Sequence, residues 1–162
     1  MSTNIAITGE GIISAIGNDK STVLQSLREK RTGIGKITHL QTTLKDYPVG
    51  EVKLSNTMLK QKLGISNDTI ISRTTLMGIW AVRQALEDAG LDSHAAADGT
   101  LRIVLISGTT VGGMDLTEKY FSEIVTNHKY FELLNHHEAG STTKEIASYF
   151  NLFTDYTTIS TA

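Results

Sequence analysis

Three consecutive residues, His136, His137 and Glu138, are of types that bind metals or transfer protons. Adjacent side chains point about 100° apart on a helix and to opposite faces of a strand, so these three do not converge on one ion by themselves. His128 or Glu132 would have to supply a further ligand. The spacing therefore favours a solvated polar loop, and we expect no metal site.

Residues 9–14 (GEGIIS), here called the first glycine turn, come within one residue of the dinucleotide fingerprint G-x-G-x-x-G. Ser14 replaces the third glycine, and the next helix signal comes only at about Asp19. A pyrophosphate needs a helix N-terminus directly after the turn. We interpret the segment as a tight turn in preference to a nucleotide site.

Residues 108–113 (GTTVGG), the second glycine turn, follow a predicted strand. Ligands of α/β proteins bind at this end of a strand. The segment lacks the Lys-Ser/Thr pair of a P-loop, so phosphate binding is not expected. The pair Gly112-Gly113 implies unusual backbone angles or close packing. Both a ligand-binding loop and a plain turn stay open.

Strands and helices that must position these turns alternate along the chain. Apolar or β-branched runs predict buried strands over residues 5–8 and 102–107 and a last strand over 156–160. Helix signals lie at residues 18–27, 55–63, 70–89, 115–125 and 142–150. The alternation predicts an α/β fold, with a mostly parallel central sheet and helices on both faces.

Several local signals sharpen these helices. Asn18 or Asp19 caps the first helix, and Ser55 or Asn56 caps the second, which ends at Gly64. The first helix is expected to bury Val23, Leu24 and Leu27. Small residues along the 70–89 helix predict close approach of a neighbour. Thr142 and Glu145 are spaced as a capping box for the last helix. Residues 36–54, with the single Pro48, are expected to be irregular.

Composition is ordinary for a globular domain. The 162 residues are 40% hydrophobic and 20% charged, with a net charge of −2 and no cysteine. General attraction to nucleic acid or to an anionic membrane is not expected. No apolar run approaches the roughly 20 residues that span a bilayer. A cytoplasmic protein without disulfides is the prediction.

Five motifs in chain order resemble the β-ketoacyl-acyl carrier protein synthases, or ketosynthases. Residues 4–17 match the opening V-x-T-G-x-G-x-x-S-x-x-G, and residues 27–34, 72–91, 102–113 and 146–162 match later motifs, the last being the run T-V-S-T-A-C into the nucleophile. Lys30-Arg31-Thr32 and Thr154-Asp155 depart from the pattern, and residues 127–141 match poorly. Such departures are typical of a divergent subfamily.

This resemblance implies a thiolase-like fold, of which residues 1–162 would be the N-terminal ketosynthase domain, truncated just before the nucleophilic cysteine. It implies a decarboxylative Claisen condensation of an acyl thioester with a malonyl thioester on acyl carrier protein. The cysteine and two histidines would lie beyond Ala162, so no catalytic residue is assigned here and the chain alone is expected to be inactive. By motif position, Val111, Gly112, Gly113 and Met114 would bind the acyl substrate, with core packing as the alternative for Val111 and Met114.

The resemblance also implies partners. Acyl carrier protein is expected, with a homodimer, or a heterodimer with a related ketosynthase, formed along residues 156–160. No cofactor is expected. Two alternatives stay open: a non-catalytic partner of the chain-length-factor type, distinguished by the residue at position 163, and a nucleotide-binding module built on the first glycine turn.

Overall fold

The computed structural model describes residues 4–91 and 101–160, which fall into two compact units. Of the described residues, the first unit comprises 4–65 and 80–91, and the second comprises 66–79 and 101–160. Each unit has its own buried apolar side chains. In the first they are Val23, Leu54, Leu59 and Leu63; in the second they are Leu76, Ile79, Leu116, Ile124, Leu133, Ile146, Ala147 and Leu152.

Helix α1 of the first unit, Lys20–Arg28, begins after the predicted cap Asp19. The Asp19 carboxylate accepts hydrogen bonds from the Thr22 amide at 2.8 Å and from the Ser21 hydroxyl at 2.6 Å. The Ser21 hydrogen bond is the largest cause of the lowered pKa of Asp19. An ionised carboxylate is the form that a helix N-terminus stabilises, so the cap is well matched.

The buried face of α1 differs from the prediction. Val23 is buried as expected, but Leu24 and Leu27 are 45% and 61% exposed, so their assignment to the core was wrong. Ser26 lies three residues after Val23 and shares its face of the helix. Its hydroxyl donates to the Ile16 carbonyl at 2.6 Å, which allows a polar side chain to be buried there.

The segment between α1 and the next helix is irregular, as predicted, apart from a two-residue antiparallel pair of strands, β1 (Ile34–Gly35) and β2 (Val49–Gly50). Glu51 holds this segment together. Its carboxylate accepts hydrogen bonds from the backbone N–H groups of Thr38, His39 and Leu40 and from the Thr38 hydroxyl. Burial raises the pKa of Glu51, but these hydrogen bonds outweigh it and lower the pKa to about 2.

Helix α2, Asn56–Leu63, confirms both predicted ends. The Ser55 hydroxyl accepts a hydrogen bond from the Met58 amide at 3.2 Å. Gly64 follows with φ of +70°, the left-handed conformation that glycine adopts at little cost. The helix buries Leu59 and Leu63 in the first unit.

Residues 4–13 form no strand, so the buried strand predicted over residues 5–8 was wrong. Ile5 and Ile7 are 96% and 85% exposed. A strand is stabilised by a hydrogen-bonded neighbour, and no strand of the described chain pairs with these residues. An apolar run by itself therefore does not make a strand here.

Helix α3, Arg73–Asp88, confirms the helix predicted over residues 70–89 and supplies residues to both units. In the first unit its small side chains lie directly against the first glycine turn. A Cβ on Gly9 would overlap the Ala85 carbonyl oxygen, and one on Gly11 would overlap that of Ala81. No helix begins directly after this turn, so the structure supports a packing turn over a nucleotide site.

Second-unit helical segments comprise α4, Met114–Asn127, a 3₁₀ helix, Phe131–His137, and α5, Ala139–Phe150. Helix α4 confirms the helix predicted over residues 115–125. The capping box predicted for α5 was wrong, because Thr142 and Glu145 lie inside the helix. The same spacing of three residues also places two side chains on one face of a helix interior. No helix in the described ranges has the length and hydropathy needed to cross a bilayer.

Strands β3, Val104–Gly108, and β4, Asp155–Ile159, form a parallel pair in the second unit. On one face, Thr143 of α5 is fully buried, and its hydroxyl lies 2.5 Å from those of Ser107 and Thr158. On the other face Ile106 is 62% exposed, so β3 is covered on one side of this pair only. Helices with a parallel sheet confirm the predicted α/β class.

Candidate functional site

The second glycine turn joins β3 to α4 at the carboxyl end of the parallel pair. The Thr109 amide donates to the Ile159 carbonyl at 3.1 Å, which extends the ladder by one bond beyond β3. The Thr109 hydroxyl donates to the Val111 carbonyl at 2.9 Å. The turn therefore begins directly beside the end of β4, at the edge of the sheet where α/β proteins bind ligands.

Close packing explains the pair Gly112-Gly113. A Cβ on Gly112 would overlap the His136 carbonyl oxygen and would lie 2.8 Å from that of Glu138. A Cβ on Gly113 would overlap the Ser72 side chain. Neither glycine has a positive φ, so space and not backbone conformation requires them. The Gly113 amide donates to the His136 carbonyl at 2.8 Å, which fixes the turn against the 3₁₀ helix.

Val111 and Met114 flank these buried glycines, but their own side chains are 48% and 45% exposed. Core packing of the described chain therefore does not account for either side chain. Two apolar groups held at a strand end and left open are suited to contact an apolar ligand.

Four polar side chains form a connected network next to the turn: Ser72, Thr75, His136 and Glu145. Glu145 of α5 accepts a hydrogen bond from the Thr75 hydroxyl at 2.5 Å and lies 2.8 Å from Nδ1 of His136. The Thr75 hydroxyl lies 2.8 Å from that of Ser72, whose side chain contacts Gly113. Ser72 and Thr75 are fully buried. Three separate segments of the second unit are thus joined beneath the turn.

The donor and the acceptor of each hydrogen bond in this network can be assigned. Because the Thr75 hydroxyl donates to Glu145, the Ser72 hydroxyl must donate to Thr75, while the Ser72 oxygen accepts from the Thr75 amide at 3.0 Å. His136 in turn donates from Nδ1. The Glu145 carboxyl group is the final acceptor of both branches.

A cleft of about 410 Å³ lies beside this network in the second unit. Its lining includes Ile70, Ile71, His136, Lys144, Glu145 and Ser148. The four predicted acyl-binding residues are not part of that lining. The cleft and the second glycine turn are therefore two features that share His136 as a common neighbour.

The adjacent histidines contact different partners. His136 pairs with Glu145, whereas Nε2 of His137 lies 2.7 Å from the Thr117 hydroxyl. His128 ends α4 in a left-handed conformation. In residues 4–91 and 101–160 no three His, Cys, Asp or Glu side chains are grouped as metal ligands would be. The solvated polar loop expected over residues 136–138 was wrong, because His136 and His137 end the 3₁₀ helix and both side chains have polar partners.

Sequence reasoning missed Ser72, Thr75 and Glu145 as parts of the site. Glu145 was interpreted as a capping residue of its own helix, but it lies 70 residues from its partner Thr75. No local spacing signals such a contact. Of the final motif, Thr161 and Ala162 lie outside the described residues, while Ser160 directly follows β4.

Comparison with known proteins identifies the family. The model described as "Beta-ketoacyl synthase, N-terminal domain" matches residues 2–162. The chain belongs to this family, which confirms the resemblance carried by the five motifs.

Curated relatives carry matching descriptions. The chain is 36% identical over 107 residues to 3-oxoacyl-[acyl-carrier-protein] synthase 1 of Escherichia coli strain K12, covering 65% of this chain and 25% of that protein. It is 36% identical over 124 residues to 3-oxoacyl-[acyl-carrier-protein] synthase 2 of Staphylococcus aureus strain MRSA252, covering 73% and 28%. The chain thus spans about a quarter of the length of these relatives.

Two solved structures share the fold over 96% of this chain. One is described as "The ishigamide ketosynthase/chain length factor". It has a TM-score of 0.74 and 24% sequence identity, and the match covers 39% of that chain. The other, described as a type II polyketide synthase "acyl-carrier protein in complex with its ketosynthase bound to the hexaketide", has a TM-score of 0.58 at 20% identity and is covered to 42%. The likeness confirms the thiolase-like fold.

Proposed function

We propose that this chain is part of a β-ketoacyl-acyl carrier protein synthase that catalyses decarboxylative Claisen condensation in fatty acid, polyketide or polyene synthesis. The observation that carries the proposal is the family match over residues 2–162, combined with the second glycine turn beside the end of β4. A nucleophile a few residues after β4 would emerge at the edge of the sheet where Val111 and Met114 are exposed.

The reaction has two stages. A cysteine thiolate displaces the carrier thiol from an acyl thioester and becomes acylated. Malonyl-carrier protein then loses carbon dioxide, and the resulting carbanion attacks the acyl group, forming the new carbon–carbon bond and releasing the cysteine. The thiolate needs a helix N-terminus or a basic neighbour to be stable. Residues of the described chain supply none of these catalytic groups, and we assign it no catalytic residue.

We assign the described chain a role in binding the acyl group. Val111, Gly112, Gly113 and Met114 would form one wall of the acyl pocket. The burial of both glycines and the exposure of the two apolar side chains support this role. Met is flexible and polarisable, so Met114 would adapt to different acyl chains. Acyl thioester, malonyl thioester and carrier protein are the partners.

The test uses the full-length protein with an acyl-carrier protein and malonyl-carrier protein. We expect a β-ketoacyl product and one carbon dioxide per condensation, measured by mass spectrometry and by release of labelled carbon dioxide. Residues 1–162 expressed alone should release none. Condensation by residues 1–162 alone would show that the catalytic groups lie within them.

A second candidate is a non-catalytic partner of the chain-length-factor type. It is favoured by the solved structure with the higher TM-score, whose description names a chain length factor. Sequencing the natural gene through position 163 separates the two: a cysteine supports the enzyme, and glutamine or another residue supports the partner. In the second case condensation should appear only when an active ketosynthase is added.

Dimer formation is a further part of the proposal. Ile159 of β4 is 60% exposed and Ile106 of β3, on the same face of the pair, is 62% exposed, while Tyr156 is 44% exposed on the opposite face. An apolar strand surface of this kind favours pairing with a second copy or a related ketosynthase. Sedimentation of the full-length protein at a monomer mass would contradict this. The cytoplasmic location stays a prediction.

A further inference from the structure

We infer that Glu145 is a positioning residue that fixes the second glycine turn and thereby sets which acyl chains the site accepts. The inference rests on the proposed function, because the acyl pocket is itself a proposal. Its structural basis is independent of that function and lies entirely in the second unit.

The contacts beneath the turn form a closed ring. The Gly113 amide donates to the main-chain carbonyl of His136 at 2.8 Å, and the His136 side chain donates to Glu145 at 2.8 Å. Glu145 accepts from Thr75 at 2.5 Å, Thr75 accepts from Ser72 at 2.8 Å, and Ser72 contacts Gly113. Each member is held from two sides, so the turn cannot shift without disturbing the ring.

Glu145 is the residue on which the ring depends most. Its two oxygens engage two different segments: Oε2 accepts from α3 through Thr75, and Oε1 accepts from the 3₁₀ helix through His136. Removing the carboxylate would leave the hydroxyl of the fully buried Thr75 without its acceptor. It would also release the His136 side chain, whose main chain holds Gly113.

The ring controls the acyl-binding side chains through the backbone. Val111 and Met114 are nearly half exposed, so their positions follow those of Gly112 and Gly113. A second bond reinforces the same anchor, because the Asp115 carboxylate accepts from the Arg73 amide at 2.9 Å. A looser turn would therefore alter the shape of the pocket wall while leaving the apolar side chains themselves unchanged.

The activity test uses the full-length protein as wild type, Glu145→Ala, Glu145→Gln and the control Glu118→Ala, which removes an exposed carboxylate from α4. kcat/KM is measured for acyl-carrier proteins of increasing chain length. We expect Glu145→Ala to change the ratio of kcat/KM between the longest and shortest substrates about tenfold. Glu145→Gln should change it less, since the amide oxygen still accepts one bond. Glu118→Ala should leave the ratio unchanged.

A second measurement does not depend on activity. Hydrogen exchange of the Gly113 amide, resolved at the level of single residues by NMR, reports its bond to the His136 carbonyl, and we expect roughly tenfold faster exchange in Glu145→Ala. Unchanged exchange, or an unchanged chain-length ratio in an active enzyme, overturns the inference. If Glu145→Ala does not fold, the test uses Glu145→Gln instead. A Glu145→Gln protein with the same kcat/KM ratio and the same exchange rate as wild type overturns the inference. A wild-type protein that does not condense would instead refute the proposed function.

Discussion

The two glycine turns of this protein both contain closely packed glycines but differ in sequence and in surroundings. Gly9 and Gly11 lie against the backbone of α3, where Ala85 and Ala81 leave room for them. Gly112 and Gly113 lie against His136 and Ser72, and the segment before them is the hydrogen-bonded strand β3. In both turns a Cβ would overlap a neighbour, so glycine is required for the same steric reason.

The two turns differ in the strand that precedes them and in the side chains that they leave exposed. The first lies against α3, and the described residues before it, 4–8, form no strand. The second lies at the carboxyl end of a parallel strand and leaves Val111 and Met114 exposed beside a partly buried polar ring. Closely packed glycines thus accompany a packing contact in one place and a candidate binding wall in the other. The supporting elements make the difference.

The largest effect is expected from adding a methyl group to either turn. Gly112→Ala and Gly11→Ala each force a Cβ into a backbone carbonyl, and we expect each to lower the free energy of unfolding by about 1–3 kcal/mol. Denaturant unfolding of the full-length protein measures this. Gly108→Ala and Gly35→Ala are matched controls, because a Cβ there meets no atom within 4 Å. Equal losses in a variant and its control would contradict the steric account.

A smaller but more specific effect is expected from Val111→Phe. The added ring would occupy space that a long acyl chain needs, and we expect kcat/KM for long substrates to fall about tenfold, a change of about 1.4 kcal/mol. The free energy of unfolding should hardly change, because the side chain is exposed. Ile12→Phe is the control, since Ile12 is 38% exposed in the first glycine turn. A similar loss of selectivity in Ile12→Phe would abolish the distinction between the turns.

The first unit should also respond to acid through Glu51. Its pKa is lowered to about 2 in the folded chain, so its contribution is complete above the ordinary value of 4.5 and disappears as the pH falls to about 2. We expect Glu51→Gln to lower the free energy of unfolding by about 1 kcal/mol at neutral pH, after allowance for solvent screening. The difference from wild type should vanish near pH 2. A difference that is independent of pH would exclude the carboxylate as its cause.

The smallest effect is expected at the surface of the first glycine turn. Lys20 lies 2.7 Å from Asp88, which also accepts from the Glu10 amide at 3.0 Å. Lys20 and Asp88 are exposed, and such pairs contribute little and are screened by salt. Lys20→Gln should lower the thermal midpoint slightly at low salt and not at all at high salt. A salt-independent loss would assign the effect to packing of the lysine side chain.

Much of the fold could be predicted because its signals are local. Asp19, Ser55 and Gly64 mark helix ends through contacts that span only a few residues. The five motifs predicted the family correctly because their order and spacing are properties of the chain itself. The apolar segment that precedes the first glycine turn shows the limit of such signals, because pairing of a strand depends on a second segment that its own residues do not specify.

The candidate site divides in the same way. The sequence alone placed Val111, Gly112, Gly113 and Met114 at the end of a predicted strand, and the structure shows that strand and its turn. Only the tertiary structure brought Glu145 to Thr75, across 70 residues. Thr142 and Glu145 are three residues apart, which is about one turn of a helix. The Glu145 carboxylate at this spacing could either cap its own helix or contact a residue of a distant helix. Packing of α5 against α3 decides between these outcomes, because it buries the Thr75 hydroxyl where Glu145 is its acceptor.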